Sequence, residues 1–305
     1  MSHLDAFDIG PLAATCRAMH ALMLSPSLQA AWLWIHKGNL AIWEALLCCT
    51  NAALRLSVVR QLVEVHHADV GVEKGGQTVL HWACGNGHID LVSYLSTRPN
   101  VLINVASFLE QASPLHIACL NGHVDVVRQL LSHTDIQVNQ AAQEGVTPLH
   151  SACFNSHVDV VHQLLSHTDI QVNLAAHCGG TPLHLACFKG HVDVVHQLLS
   201  HTDFQVNLAA HRGGTPLHLA CQKGHVDVVH QLLSHADIQV NIAAQEGLTP
   251  LHVVCHEGHA DVVCQLLSRT DIQVNVVGPG GVTPLFLASS RGHADVVHLL
   301  RSHRL

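Results

Sequence analysis

Histidine and cysteine dominate the reactive side chains of this 305-residue chain, with 30 His and 11 Cys. Imidazole and thiol are the ligands of zinc and the partners of nucleophilic catalysis. Their spacing is regular: Cys84, Cys119, Cys153, Cys187, Cys221 and Cys255 each follow a histidine by three residues, namely His81, His116, His150, His184, His218 and His252. On a helix that interval puts both side chains on one face. Two ligands do not fill a tetrahedral zinc site, and the next pair would sit one helix-packing distance away, about 8–10 Å, too far to share an ion with ligands at about 2 Å. A nucleophilic pair fares no better, because a catalytic site departs from its scaffold and these residues recur as the scaffold. No Gly-rich phosphate loop, HExxH or GxSxG occurs. The spacing therefore predicts no metal, no cofactor and no enzyme, and the cysteines read as small buried hydrophobes.

The elements behind this spacing are repeats. Thr-Pro-Leu-His and its variants start at Ser113, Thr147, Thr181, Thr215, Thr249 and Thr283, each 34 residues after the last, with an earlier Thr78-Val79-Leu80-His81. In the copy TPLHLACFKGHVDVVHQLLSHTDFQVN, Thr181 suits a helix N-cap and Pro182 the first helical position. Gly190 suits a left-handed C-cap, and Asp193 the first turn of a second helix, where the dipole favours an anion. Val192, Val195 and Leu199 are the expected inner stripe of that helix, and the link from Asn173 to Thr181 reads as a turn.

This pattern, TPLHLAC…GHVDVV…LL…VN, resembles the ankyrin repeat, whose usual period is 33 residues. The resemblance implies an all-α solenoid of stacked helix-turn-helix units with β-hairpin-like loops, curved, with a concave binding face. It covers residues 75–305 in seven copies. Residues 37–74 read as a degenerate copy, in which Leu56-Ser57-Val58-Val59-Arg60-Gln61-Leu62 mirrors the second helix. It also implies structural roles for the Thr-Pro-Leu-His and Gly-His histidines, tying helix starts and turns by hydrogen bonds. Ser156 replaces the turn glycine in one copy, a local strain.

Residues 1–36 do not follow the repeat. Leu12, Cys16 and Arg17, then Pro26, Leu28 and Trp32, resemble the second half of an F-box, truncated because its first helix should lie before Leu4. That resemblance implies docking on a Skp-type adaptor of a cullin ubiquitin ligase. The alternative role for the segment is an apolar helical cap on the end of the stack.

Net charge is −8 with only 12% charged residues, which argues against nucleic acid. No window reaches the ~18 apolar residues of a membrane span, and no secretory signal is apparent. A monomer in the reducing cytoplasm or nucleus is expected. Repeat proteins bind partners on an extended concave surface, and the informative positions are those that vary while their neighbours repeat. These are the hairpin tips and the first-helix ends. Leu120, Phe154 and Phe188 fill one slot in successive copies, with Lys189, Lys223 and Arg212 beside them, His177 and His211 at hairpin tips, and Glu144, Glu246 and Glu257 flanking. An apolar anchor beside a small basic patch suits a peptide with a large apolar residue and acidic neighbours. The functional expectation is non-catalytic protein binding through this face. The alternatives are an F-box-type substrate receptor and a structural scaffold without a dedicated partner. Protonating all 30 histidines would swing the formal charge from −8 to +22, so the stack is expected to weaken as pH falls through about 6.5.

Overall fold

The computed structural model describes residues 25–49, 51–98, 101–244 and 247–303. Among the described residues there are seventeen α-helices and no strand, only an isolated bridge between Lys74 and Gln77. Two compact units divide the chain: residues up to Ile103 with Ser107–Leu109, and Asn104–Ala106 with Glu110 onward.

The first unit holds α1 (Pro26–Lys37), α2 (Ala41–Cys48), α3 (Ala52–Glu64), α4 (Val79–Gly85) and α5 (Ile89–Ser96). Helix α1 starts at the Ser25 cap with Pro26 in the first turn, and packs on α2 and α3. Val58, Val59 and Leu62 of α3 are buried, and Trp43 Nε1 donates to the Val72 carbonyl at 3.0 Å, tying the link to α2. Residues 37–74 hold the helix pair α2 and α3 followed by a link.

The second unit repeats one pair. Its first helices are α6 (Pro114–Asn121), α8 (Pro148–Phe154), α10 (Pro182–Lys189), α12 (Pro216–Lys223), α14 (Pro250–Glu257) and α16 (Pro284–Arg291). Its second helices are α7 (Val124–Leu131), α9 (Val158–Leu165), α11 (Val192–Leu199), α13 (Val226–Ser234), α15 (Ala260–Leu267) and α17 (Ala294–Ser302). First helices pack on first helices and second on second, in two parallel layers. The expected caps are present: Thr181 starts α10, and Gly190 closes it at φ 77°. Ser156 takes the same left-handed conformation at φ 60° without being glycine, which is the strain expected there.

The second-helix stripe differs from expectation. In α11 the fully buried residues are Val194, Val195 and Leu198, while Val192 and Leu199 are half-buried. A second helix packs on its own first helix and on a second helix from each neighbour. Its apolar face is therefore set by three contacts rather than one, and it is rotated toward the stacking direction.

The Thr-Pro-Leu-His imidazole joins one repeat to the next. In α8 the Thr147 N–H donates to His150 Nδ1 at 3.2 Å, with Thr147 Oγ1 also 2.8 Å from that nitrogen. The His150 N–H returns a bond to Thr147 Oγ1 at 3.4 Å, closing a capping box. Because Nδ1 accepts, the proton sits on Nε2, which donates to the Gly180 carbonyl of the following repeat at 3.1 Å. The same reach runs from His116 to Val146, His184 to Gly214, His218 to Leu248 and His252 to Val282, at 3.0–3.3 Å.

Burial holds these five rings below the ordinary imidazole range, His116 and His150 down to about 4, despite the opposing pull of the carbonyl each one bonds. The unfolded chain protonates them near 6.5. Between those values it binds more protons than the folded stack, so stability falls as pH is lowered across that window. The urea midpoint should drop between about pH 7.5 and 5.5 and keep falling toward pH 4; a midpoint flat across that range contradicts the account.

Candidate binding surface

The backbone of the variable slot is fixed by the next repeat. His157 Nε2 donates to the Leu120 carbonyl at 3.0 Å, His191 to Phe154 at 3.0 Å and His225 to Phe188 at 3.1 Å. His259 and His293 do the same for Gln222 and His256. The turn glycine lies under the same rings: a Cβ on Gly190 would sit 2.7 Å from the His225 ring, so glycine is needed for its φ and for this approach. The slot's main chain is held while its side chain is left to vary.

Hairpin tips are joined in the same direction. The Gln143 N–H donates to the Glu110 carbonyl, His177 to Glu144 and His211 to Cys178, at 2.7–3.2 Å. On the links, Asn139 Nδ2 donates to the Asp169 carbonyl at 2.6 Å while its Oδ1 accepts from the Gln171 N–H at 2.9 Å. Asn104, Asn173, Asn207 and Asn241 make the same two bonds. Sequence reasoning assigned these asparagines no role. Their signal was the recurrent Val-Asn that ends each link, Ile103-Asn104 in the first of them.

The candidate residues come together on the first-helix ends. Leu120, Phe154 and Phe188 are 47%, 40% and 37% exposed. Lys189 and Lys223 are not simply beside the rings. Lys189 Nζ lies 4.1 Å from the centroid of Phe154, and Lys223 Nζ 4.7 Å from that of Phe188, each reaching back one repeat. Arg212, His177 and His211 are exposed on hairpin tips, with His177 Nδ1 3.8 Å from Glu144 Oε2. Around Leu120 an apolar groove of about 300 Å³ is lined by Ala112, Ile117, Ala142 and Val146, with Glu110 and Glu144 among its polar residues. Glu257 pairs with His256 at 3.0 Å, and Glu246 lies outside the described residues. Sequence reasoning also passed over Phe108 and Leu109, both strongly exposed at a tip in the irregular 35-residue interval.

The His–Cys pairs are otherwise employed. His184 uses both ring nitrogens in the bonds already described. Burial pushes the Cys187 thiol well above the usual thiol range, with Cys221 and Cys153 acting in the same direction, whereas a nucleophilic thiol needs a lowered pKa. Among the described residues no three His, Cys, Asp or Glu side chains gather as a metal site. No helix among them is long and apolar enough to cross a membrane.

Of the F-box-like residues, Leu12, Cys16 and Arg17 lie outside the described residues. Pro26, Leu28 and Trp32 are on α1, the latter two exposed. Of Arg301, His303 and Arg304, which in the sequence make the last helix a polar end, the first two are exposed and Arg304 lies outside the described residues.

Stacked helix pairs tied by side-chain bonds of fixed spacing define a repeat solenoid. The sequence profile described as ankyrin repeats (3 copies) matches residues 19–107, 99–176, 161–244 and 238–304, and the chain belongs to that family. The first match runs through Pro26, Leu28 and Trp32. The chain is similar to osteoclast-stimulating factor 1 of Rattus norvegicus and of Mus musculus, 43% identical over 49 residues, 16% of this chain and 23% of each relative. It thus spans under a quarter of the length of these curated relatives. It is also similar to the crystal structure of the human ASB11 ankyrin repeat domain, at 27% identity and a TM-score of 0.63, over 74% of this chain and 98% of that one.

The Phe–Lys contacts should couple. A double-mutant cycle with Phe154→Ala and Lys189→Ala, read by urea denaturation, should give a coupling energy of about 0.5–1 kcal/mol. Additive effects would show that the ring and ammonium merely lie close.

Proposed function

We propose that the chain is a non-catalytic protein-binding module that takes its partner on the concave face made by the first-helix ends and hairpin tips. The observation that carries this reading is where variation falls. Near-identical repeats differ at slots whose backbone is held by the next repeat, and three of those slots in a row expose Leu120, Phe154 and Phe188. A scaffold without a partner has no reason to place bulky apolar side chains at its free positions, where each costs solubility. A reducing cytoplasm or nucleus suits the seven buried free thiols among the described residues, and the reading takes the chain as a monomer. Replacing Phe154 by p-benzoylphenylalanine in the full chain and irradiating cells should give discrete covalent adducts, whereas the same replacement of exposed His162 on α9 should give none. Equal labelling from both positions would sink the reading.

A second reading, the F-box-type receptor, draws on one feature of α1. Leu28, Trp32 and Ile35 form an exposed apolar stripe at helical spacing. On that reading the full chain co-purifies with a Skp-type adaptor and loses it on Trp32→Ala. A full chain that retains no adaptor leaves α1 as a cap.

A further inference from the structure

The variable slots change character along the stack in a fixed order. At Leu120 the surface is an apolar groove of about 300 Å³. One repeat on, the Phe154 ring carries the Lys189 ammonium at 4.1 Å, and one repeat further the Phe188 ring carries that of Lys223 at 4.7 Å. A ring face engages one side of an ammonium and leaves its other N–H donors directed away. Neither lysine has a carboxylate partner among the described residues. The exposed Arg212 adds a third cation; the acidic groups nearby are Glu110 and Glu144, which line the rim of the Leu120 groove, Glu144 lying 3.8 Å from His177. Two cations thus stand in register, held from below by aromatic rings, beyond an apolar socket.

The spacing of these features is the spacing of packed helices, about 8–10 Å per repeat. An extended chain advances about 3.3 Å per residue, so it crosses one repeat in about three residues. Resting on the protein-binding reading, we propose that this face binds an extended acidic peptide segment of its partner. One apolar side chain enters the Leu120 groove, and carboxylates about three and about six residues away meet Lys189 and then Lys223. Opposite charge on the partner is what the surface selects for, since the two lysines are pre-positioned and a basic segment would meet repulsion at both.

The test uses the full chain as bait for a random peptide library displayed on phage. Enriched peptides should carry an apolar residue followed by two acidic residues at intervals of about three. An enriched synthetic peptide, followed by fluorescence anisotropy, should bind the doubly reversed variant Lys189→Glu, Lys223→Glu about tenfold more weakly or worse. It should also weaken with added salt. Both lysines are surface residues, and a cooperative urea transition, its midpoint lowered only by the loss of the two ring contacts, checks that the variant is folded. No enrichment, enrichment without the acidic spacing, or binding indifferent to the reversal overturns the proposal. If Phe154 still photo-cross-links a partner in any of those cases, the protein-binding reading stands without this one. Enriched peptides that also ignore Phe154→Ala, Phe188→Ala would bind elsewhere and remove support from both.

Discussion

A neutral imidazole buried between two repeats has one acceptor and one donor, and this stack uses both. Nδ1 of His150 takes the Thr147 N–H, which the start of α8 leaves without a helical partner. Nε2 then gives its proton to the Gly180 carbonyl of the next repeat. The final repeat separates the two tasks. There Phe286 occupies the histidine slot, and Thr283 Oγ1 still accepts from the Phe286 N–H at 3.2 Å. The cap therefore closes without an imidazole, and what the ring adds is the reach between repeats. Leaving either end of such a bond unmet in the interior costs about 1–3 kcal/mol, which makes each repeat a poor structure without its neighbour.

Three further ties run between neighbours: the Gly-His imidazoles on the first-helix ends, the hairpin backbones, and the doubly bonded asparagines on the links. Each engages main-chain atoms. Side chains at positions such as 120, 154 and 188 take no part in these three ties, and an array can change its surface there while the ties stay in place. This division explains how near-identical copies still present a non-uniform face. It also explains why the informative chemistry comes in pairs across a repeat boundary, as with Phe154 and Lys189.

Much of this was legible in the sequence because the repeat compares itself. Thr181, Pro182, Gly190 and Asp193 state helix ends through local chemistry, and their recurrence made the caps plain. What was not legible depends on contacts between copies. Helical periodicity alone placed Val192 and Leu199 inside, but stacking on both sides buries Val194 and Leu198 instead. Lys189 read as one of a basic patch beside the rings, but its contact with Phe154, 35 positions earlier, leaves no local pattern. Asn173 looked like link filler, since a bidentate side chain bonding an aspartate carbonyl 30 residues on leaves no trace except invariance. Phe108 and Leu109 escaped notice for the opposite reason: their interval breaks the period on which the comparison relied.

The abundance of histidine then has two physical meanings rather than one. Rings such as His150 are desolvated and kept neutral, so acid works against the stack through them. Rings such as His177 and His162 lie exposed at the surface. A partner held by Lys189 and Lys223 would feel acid through the buried rings only once the bridges between repeats gave way.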